Sequence, residues 1–503
     1  MSPFNYLGVI MVLVLIIGVG IYSGRKVSSA ADFATGGGRS GPWMICGTIM
    51  GALVSSQATI GTAQLAFQFG AAAWWFTLGS GIGCFILAIF YVKPLRRSGY
   101  TTLMGVIDRE YGHTVEYAGS ILSSIGIFIS VLAQMVACTG LLTVIFPMPL
   151  PAAAMLSAAF MAVYVVFGGA WGAGIGGIVK LILLYVACIA GLVAVLQASG
   201  GLKGLISSLN GALVGTLPGQ MSGIATVGDV SAHYASLTAR GTAKDIGSGV
   251  SLLLGVLSTQ TYAQAIWSGQ SDADAKKGAL LAAGLIPPIG IAGICVGIFM
   301  RGHYITQAEA ETLIAAGKSL PEGMGILAST IQVFPAFVVN HLPVLFSGII
   351  LGTLLITVVG GGAGLSLGVA TIMVNDIYKK VSKKLEPTSA VLLSTRVTIL
   401  GVLAISAAIA CLVPSATIND FGFLSMGLRG AVVFAPLTCA LFFPGRASPR
   451  FALLATICGP LCTLFGKIIA LPIDPLFLGV GTAGVFMALG MAAGANQTAV
   501  RRH

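Results

Sequence analysis

Lys180 and Arg429 are basic side chains that stand inside long apolar runs of this 503-residue sequence. Lys180 has apolar residues on both sides, and Arg429 lies within the stretch Phe421–Ala431. A charge at mid-membrane depth costs at least about 2.5 kcal/mol on insertion scales, so it is usually retained for pairing or for function. The alternative for Lys180 is a position nearer the membrane boundary, from which its ammonium extends to water.

The guanidinium of Arg429 has the chemistry of an anion receptor. It presents a planar fork that matches a carboxylate, and no acidic residue stands in the interior of an apolar run to neutralise it. A small organic anion is therefore its natural partner. Two further interpretations stay open: Arg429 could bind backbone carbonyls of a broken helix, or it could contact water near the outer boundary.

Polar clusters interrupt two of the apolar runs, at Gly51–Gly61 and at Ser258–Gln264. Backbone that leaves the helix at membrane depth is tolerated only where it lines a cavity or is buried in protein, and its free groups then become ligands. The alternative is that glycine and serine merely allow close helix packing. The candidates for solute binding by directed hydrogen bonds are Ser55, Ser56, Gln57 and Thr59 in the first interruption and Thr259, Gln260 and Gln264 in the second.

The elements that position these residues must be membrane-spanning helices. The chain is 56% hydrophobic and only 8% charged, with a mean hydropathy of +0.97, whereas soluble domains carry about 25% charged residues. Many runs reach the roughly 20 residues needed to cross a bilayer. Thirteen runs are predicted, near 5–24, 42–68, 72–95, 116–147, 152–169, 174–197, 246–265, 277–300, 343–374, 389–413, 422–443, 450–470 and 475–494.

Basic residues indicate the orientation of these spans. They fall in alternate loops, near 25–39, 93–97, 276–277, 379–384 and 446–450, and in the tail at 501–502. Because short cytoplasmic loops are enriched in Lys and Arg, the N-terminus is predicted outside and the C-terminus inside, in the cell inner membrane. The net charge of +11 is thus explained by basic residues in the cytoplasmic loops and does not indicate a nucleic-acid partner. We expect the protein to function as a monomer in contact with membrane lipid.

Composition and motifs also bear on competing function classes. An enzyme within the membrane needs convergent catalytic groups, such as paired carboxylates or a metal cluster, and the runs offer none. A channel needs a filter-like repeat, and a solute sensor needs a signalling domain; neither is evident. The nine cysteines lie in or beside apolar runs and are interpreted as packing residues, without a disulfide, a cofactor or a metal other than a coupling Na⁺.

Three motifs resemble the sodium:solute symporter family. They are Ala31–Trp43 (ADFATGGGRSGPW), Asn375–Lys380 (NDIYKK), and Gln264 followed by Trp267 and Ser268 before a basic loop. The thirteen spans and the outside N-terminus fit the same family. The resemblance implies an all-α membrane fold of the leucine-transporter-like type, in which two inverted repeats of five helices are preceded by one extra helix and followed by two.

The resemblance also implies a domain organisation and a place for the solute. Solute would bind between the two interrupted segments, near the bilayer midplane, and move by alternating access. The predicted units are 1–41 (extra helix and cytoplasmic loop), 42–198 (first repeat), 199–245 (external loop), 246–443 (second repeat) and 444–503 (two C-terminal helices and tail).

The sodium site implied by the resemblance is altered in this sequence. The two backbone-carbonyl ligands of the family fall on Gly51 and Val54, which keep their carbonyls. The small and hydroxyl-bearing ligands fall on Thr357, Gly360 and Gly361, so two expected hydroxyls are missing. A sodium ion would lack part of its oxygen cage at these positions.

A lysine stands near the position where the family commonly has an acidic residue. That position is Gly177 here, and Lys180 follows one turn later. We expect the Lys180 ammonium to take over the role of the cation. Burial favours the neutral amine, so proton binding and release at Lys180 would replace sodium binding. The predicted function is a proton-coupled importer of a small organic anion; the alternatives are a sodium-coupled symporter with a carbonyl-based site, or a channel or sensor on the same scaffold.

Overall fold

The computed structural model describes residues 2–24, 38–100, 102–167, 169–213, 227–315, 317, 323–378, 388–413, 416–469 and 473–500. Several residues that support the predictions lie outside this part of the chain: residues 31–37 of the first family-like motif and the basic residues at 25–26, 379–384 and 501–502.

The first half of the described chain consists of helices joined by short turns. They are α1 Pro3–Gly24, α2 Pro42–Leu53, α3 Thr62–Phe69, α4 Trp75–Ile86, α5 Val92–Arg97, α6 Leu103–Tyr111, α7 His113–Ile145, α8 Leu150–Phe167, α9 Gly169–Ser199, α10 Leu202–Leu213 and α11 Val227–Ala235. The π-helical turns Gln57–Gly61 and Leu87–Tyr91 lead into α3 and α5, and the 3-10 turn Gly70–Trp74 leads into α4.

The second half of the described chain also consists mainly of helices. Its helices are α12 Thr242–Leu257, α13 Gln260–Trp267, α14 Asp272–His303, α15 Gln307–Ala315, α16 Val333–His341, α17 Val344–Ile372, α18 Thr388–Leu412, α19 Ile418–Phe442, α20 Pro449–Ile468 and α21 Pro475–Val500. The π-helical turn Met373–Tyr378 continues α17, and the 3-10 turn Thr330–Gln332 precedes α16. Strands β1 Tyr304–Thr306 and β2 Gly325–Leu327 pair in parallel, with Ile305 opposite Ile326, a small addition to the all-α prediction.

Every predicted apolar run coincides with a helix or with a pair of shorter helices. In lipid, backbone groups must be satisfied within the segment, so apolar runs of this length become helices. Nine helical stretches of the described residues are long and apolar enough, by length and composition, to cross a membrane. The chain is therefore a multi-pass membrane protein, while the count of thirteen spans stays a prediction.

Burial separates a central group of helices from a peripheral one. The apolar windows of α7, α17 with its π-helical turn, and α19 are 72%, 72% and 78% buried. Those of α18 and α21 are 28% buried, which leaves most of their apolar surface for lipid. The centre of the molecule is thus built around α7, α17 and α19.

Both predicted helix interruptions are confirmed. Helix α2 ends at Leu53, where Val54 leaves the helical conformation (φ −83°, ψ 88°). Helix α12 ends at Leu257, and Thr259 is extended (φ −103°, ψ 123°) before α13 begins. We call residues 54–61 the first break and residues 258–259 the second break.

The predicted orientation gives names to the two sides of the molecule. We call the side that carries Ser40 and Gly269 the inner side and the side that carries Arg240 the outer side. Helices α10, α11, α15 and α16 and the two strands lie in the connections predicted to be outside.

Candidate functional site

The Lys180 ammonium binds at the C-terminal end of α2. Lys180, on α9, is 6% exposed, and its Nζ donates to the carbonyl oxygen of Gly51 at 2.7 Å and to that of Thr357, on α17, at 3.4 Å. Gly51 belongs to the last turn of α2, where carbonyls lack partners within the helix and carry partial negative charge. The buried ammonium therefore ties α2 to α17, and the alternative position at the membrane boundary is not the one observed.

The five positions that resemble sodium ligands do not form an oxygen cage. The carbonyls of Gly51 and Thr357 are engaged by the ammonium, and Val54 lies at the start of the first break. Gly360 and Gly361 offer no side-chain oxygen. Since hard cations require oxygen ligands around them, this set does not fit a sodium ion while the Lys180 ammonium is in place.

A glutamine of α7 organises the first break. The Gln134 side chain donates through Nε2 to Ser55 Oγ at 2.9 Å and to Gln57 Oε1 at 3.1 Å, and its Oε1 accepts from the Ser56 N–H at 3.1 Å. Ser55 Oγ also donates to Gln57 Oε1 at 2.9 Å. These bonds satisfy backbone and side-chain groups that the broken helix leaves free. The sequence prediction missed Gln134, although it is the one amide side chain within its apolar run.

Arg429 is held by hydroxyl and carbonyl groups at the second break. It is 1% exposed. Its NH1 donates to Thr259 Oγ at 2.9 Å, its NH2 to Ser130 and Ser425 Oγ at 3.1 and 2.9 Å, and its Nε to the Ser425 carbonyl at 3.2 Å. Among the described residues, no carboxylate lies within ion-pair distance of this guanidinium. One N–H of NH1 remains for a further acceptor, because four of the five are in use.

Helix α7 brings the two breaks to one side of the molecule. Ser130 and Gln134 are one helical turn apart and so share a face of α7. Ser130 reaches the second break through Arg429, and Gln134 reaches the first break directly. The two interruptions therefore both contact this face of α7, and their role as one solute site stays a prediction.

The remaining predicted solute ligands have different surroundings. Thr59 Oγ donates within the first break, to the Ser55 carbonyl at 3.1 Å. Gln260 Oε1 accepts from the Leu103 N–H at 2.9 Å, so that end of the side chain is directed toward the start of α6. Gln264 lies further along α13 and is half-buried.

Several buried polar atoms at the breaks have no hydrogen-bond partner among the described residues. They include the hydroxyls of Ser56, Ser258 and Thr357 and both amide atoms of Asn419, which is completely buried on α19. Asn419 Oδ1 lies directly against the Gly61 backbone. A buried polar group without a partner costs about 1–3 kcal/mol. These atoms therefore mark where a polar ligand is expected, and Asn419 was missed because nothing local in the sequence distinguishes it.

Aromatic side chains close the outer side of the site. Phe76 and Phe423 pack with ring centroids 5.9 Å apart, and Arg240 stands 5.1 Å over the Phe423 ring. Arg240 is paired with Asp245 at 2.6 Å, and both side chains are buried. A buried ion pair therefore stands beside the Phe423 ring on the outer side.

Main-chain pairing closes the inner side. The Ser40 N–H donates to the Ser268 carbonyl at 3.0 Å, and the Gln270 N–H donates to the Ser40 carbonyl at 3.1 Å. Arg96 donates to the carbonyls of Ile266 and Gly269 at 3.1 and 2.8 Å. The start of α2 and the end of α13 are thus held together beneath the site.

Comparisons with known proteins agree with this architecture. The sequence model of the sodium:solute symporter family matches residues 33–459. A Na⁺-coupled sialic acid symporter in a substrate-bound, outward-open state is 15% identical, with a TM-score of 0.74 over 98% of each chain.

Two further solved structures are more distant. A nucleobase-cation-symport-1 family transporter, closed around bromovinylhydantoin, is 10% identical, with a TM-score of 0.54 over 93% of this chain and 96% of its own. A mutant manganese transporter of Eremococcus coleocola is 12% identical, with a TM-score of 0.50 over 93% and 98%. The fold is therefore leucine-transporter-like, as the sequence predicted, while the bounds of the two inverted repeats stay a prediction.

Proposed function

The chain belongs to the sodium:solute symporter family and is a secondary transporter, and we propose that it imports a small organic anion with proton coupling through Lys180. One observation carries the proposal: the Lys180 ammonium is bound to the Gly51 and Thr357 carbonyls, at positions that correspond to sodium ligands of the family. A built-in cation there replaces an ion that must otherwise be taken from solution.

Protonation of Lys180 controls a contact between α2 and α17. The charged ammonium donates to carbonyls of both helices, and the C-terminal dipole of α2 favours its charge. The neutral amine has lost one donor and the charge, so the same contacts become weaker. A proton gradient can therefore bias the position of α2, which is what coupling to alternating access requires.

The charge of the site supports an anionic solute. Arg429 and Lys180 are both buried, and neither has a carboxylate partner among the described residues. A carboxylate of the solute would supply the missing negative charge and accept the remaining N–H of Arg429. The unpartnered amide of Asn419 and hydroxyls of Ser56 and Ser258 would bind its other polar groups.

Sodium coupling is the second candidate, because the family is named for it and the sialic acid symporter is Na⁺-coupled. It requires Lys180 to leave the carbonyls of Gly51 and Thr357 so that they can bind the ion. A channel or a solute sensor on this scaffold would show no saturable uptake. We propose the inner membrane as the location, with the N-terminus outside and a monomer as the working unit.

Transport in proteoliposomes tests the proposal. Carboxylates and their neutral amide analogues would first be screened for thermal stabilisation of the purified protein. Uptake of a stabilising solute would then be measured with an imposed proton or sodium gradient in wild type, Lys180→Met and Lys180→Arg. We expect proton-driven, saturable accumulation in wild type and none in either variant, while Lys180→Arg retains solute exchange because it keeps the charge. Sodium-driven accumulation that is equal in all three proteins would overturn proton coupling, and equal stabilisation by the amides would overturn the anion.

A further inference from the structure

An open groove lies between the start of α2 and the first turns of α14, on the inner side of the molecule. It has a volume of about 600 Å³, and its lining includes Pro42 and Trp43 of α2 and Lys277, Leu280, Leu281 and Gly284 of α14. The two helices touch beside it, because a Cβ at Gly278 would overlap Ile45 and the Pro42 carbonyl. The groove is therefore formed by two packed helices.

The α14 wall of the groove is apolar beyond its lysine and has the length of a lipid acyl chain. Lys277, Leu281 and Gly284 follow one another at spacings of four and three residues, so they share one face of the helix. From Lys277 to Leu285, another lining residue, the helix rises about 12 Å, close to the roughly 15 Å of hydrocarbon in one leaflet. A Cβ at Gly284 would meet nothing within 4 Å, so the middle of the groove is open in the described structure.

The inner end of the groove carries two hydrogen-bond donors that have no acceptor in the described structure. Trp43 is 61% exposed and its indole N–H has no partner there, whereas the indoles of Trp74, Trp75 and Trp267 all donate to backbone carbonyls. Lys277 is exposed, and no carboxylate of the described residues lies within ion-pair distance of it. A tryptophan and a lysine at a membrane boundary are suited to a lipid headgroup.

The acidic residues near this end are engaged by other groups. Asp272 is paired with Arg96 at 2.6 Å, and Asp274 accepts from the Ser271 hydroxyl at 2.6 Å. The start of α2 adds positive potential, because its first N–H groups have no side-chain cap. The groove therefore combines an apolar wall with a positive end, which is complementary to an anionic phospholipid.

We propose that this groove binds one phospholipid with an anionic headgroup. The lipid phosphate accepts from the Trp43 indole N–H and the Lys277 ammonium, and one acyl chain lies along the apolar wall of α14. A choline headgroup would bring its own cation beside Lys277, so a zwitterionic lipid binds more weakly. The bound lipid contacts α14 and the start of α2 together, close in sequence to Ser40, which pairs with Ser268 and Gln270. It thereby stabilises the closed inner side, whatever the solute and the coupling ion are.

Lipid binding to the full chain tests this inference. Native mass spectrometry of the protein in detergent would be titrated with phosphatidylglycerol or with phosphatidylcholine of identical acyl chains. We expect the first phosphatidylglycerol to bind about fivefold more tightly than phosphatidylcholine, and Lys277→Gln to remove this preference, since one lysine near a lipid surface contributes about that factor. Lys276→Gln is the matched control: it removes the same charge from an exposed position about 100° around α14 and should keep the preference.

A second set of variants tests the groove itself. Gly284→Leu fills the open space and should abolish binding of the first lipid, whereas Gly481→Leu, at an exposed position of α21 where a Cβ also meets nothing, should not change it. Trp43→Phe keeps an aromatic ring but removes the N–H, and it should weaken phosphatidylglycerol binding several-fold. Equal binding of the two lipids in wild type, equal effects of Lys276→Gln and Lys277→Gln, or unchanged binding in Gly284→Leu would each overturn the inference. Displacement of the lipid by glycerol phosphate would show that a headgroup alone is recognised, and would overturn it as well.

Deuterium exchange in nanodiscs tests the effect of the lipid on the inner side. The Ser40 and Gln270 amides should exchange several-fold more slowly in phosphatidylglycerol than in phosphatidylcholine, and the difference should vanish in Lys277→Gln. Equal exchange in the two lipids would overturn the stabilising role of the bound lipid. Neither measurement needs a solute or an ion gradient, so failure of the proposed proton coupling would leave this inference unaffected.

Discussion

The backbone of Gly177 lies directly against the carbonyl oxygen of Gly47, so that a Cβ at position 177 would overlap it. Helices α9 and α2 therefore meet backbone to backbone at the position where the resemblance to the family implies an acidic side chain. Lys180 follows one turn later and reaches Gly51, one turn beyond Gly47. The close packing at Gly177 and the contact of Lys180 with Gly51 are thus parts of one arrangement.

Gly177→Ala should separate α9 from α2 and weaken the contact between Lys180 and Gly51. Overpacking of this kind costs about 1–3 kcal/mol, so a lower melting temperature and loss of transport are expected. Gly191→Ala is the matched control on α9, since its Cβ would lie at ordinary contact distance, 3.7 Å from Phe337 and Val296. A Gly177→Ala protein that melts and transports like Gly191→Ala would contradict the close packing.

The spans and the breaks could be predicted from the sequence because they depend on local features. Long apolar runs become helices in lipid whatever their neighbours are, and polar clusters such as those at Ser55 and Thr259 mark interruptions within the run itself. The predicted place of Lys180, next to Gly51 and Thr357, also agrees with the structure. That success came from the resemblance to a family, which supplied the tertiary register that a single sequence lacks.

Other parts of the site depend on contacts between distant segments and could not be predicted. Gln134 binds residues 77 to 79 positions away, and Asn419 packs against Gly61. Nothing near either residue in the sequence indicates which helix it faces. Gln260 lies in the polar cluster for which solute binding is predicted, and its Oε1 accepts from the Leu103 N–H at the start of α6, a contact that its sequence neighbours do not indicate. Direction of a side chain around a helix is set by packing, which the pattern of apolar residues leaves open.

Replacement of Gln134 should loosen the first break. Gln134→Leu keeps the approximate volume but removes the bonds to Ser55, Ser56 and Gln57, whose buried groups then have no partner. The expected cost is about 1–3 kcal/mol in unfolding free energy, with faster deuterium exchange of residues 54–61. Ser123→Ala, on the same helix, removes a buried hydroxyl that has no partner in the described structure and should not destabilise. Equal effects of the two substitutions would show that Gln134 does not support the break.

Arg96 should hold the inner side closed. Its guanidinium donates to the carbonyls of Ile266 and Gly269 and to Asp272, where the start of α2 meets the end of α13. Arg96→Ala should raise deuterium exchange of the Ser40 and Gln270 amides several-fold, with little change in melting temperature because the ion pair is partly exposed. Arg97→Ala is the control, since Arg97 is exposed. Unchanged exchange in Arg96→Ala would mean that backbone pairing alone closes this side.

Glu309 should give the outer region an acid-dependent stability. Burial raises the pKa of this carboxyl, but Arg301 at 2.9 Å and the Thr306 N–H outweigh burial, so the pKa lies below its ordinary value. Because the pKa of Glu309 is lower in the folded state than in the unfolded state, its carboxylate stabilises the fold fully at pH values above the ordinary pKa of glutamate. This stabilisation is lost as pH falls through the pKa of the folded state. Glu309→Gln should remove about 1 kcal/mol of this stabilisation. The melting temperature of the variant should therefore fall less steeply than that of wild type as the pH is lowered into the acid range. Glu311→Gln, at an exposed position on α15, should keep the wild-type branch; a wild-type branch in Glu309→Gln as well would contradict the assignment.

Removal of Lys180 together with restoration of one hydroxyl should create a sodium site. Lys180→Ala frees the carbonyls of Gly51 and Thr357, and Gly360→Ser adds a hydroxyl where a Cβ has room, 3.4 Å from the Tyr164 hydroxyl. Sodium that binds only the folded protein stabilises it by about 2.7 kcal/mol at 100 times its Kd, so the double variant should melt at a higher temperature in sodium than in choline.

Two comparisons decide whether the sodium effect arises from this site. Lys180→Ala/Gly364→Ser places a hydroxyl in open space one turn along α17 and should show no sodium effect. Wild type should also be indifferent to sodium, because its own ammonium holds the two carbonyls. Stabilisation of wild type by sodium, with no further gain in Lys180→Ala/Gly360→Ser, would mean that the ion binds elsewhere or displaces Lys180, and sodium coupling would then replace proton coupling as the proposed mechanism.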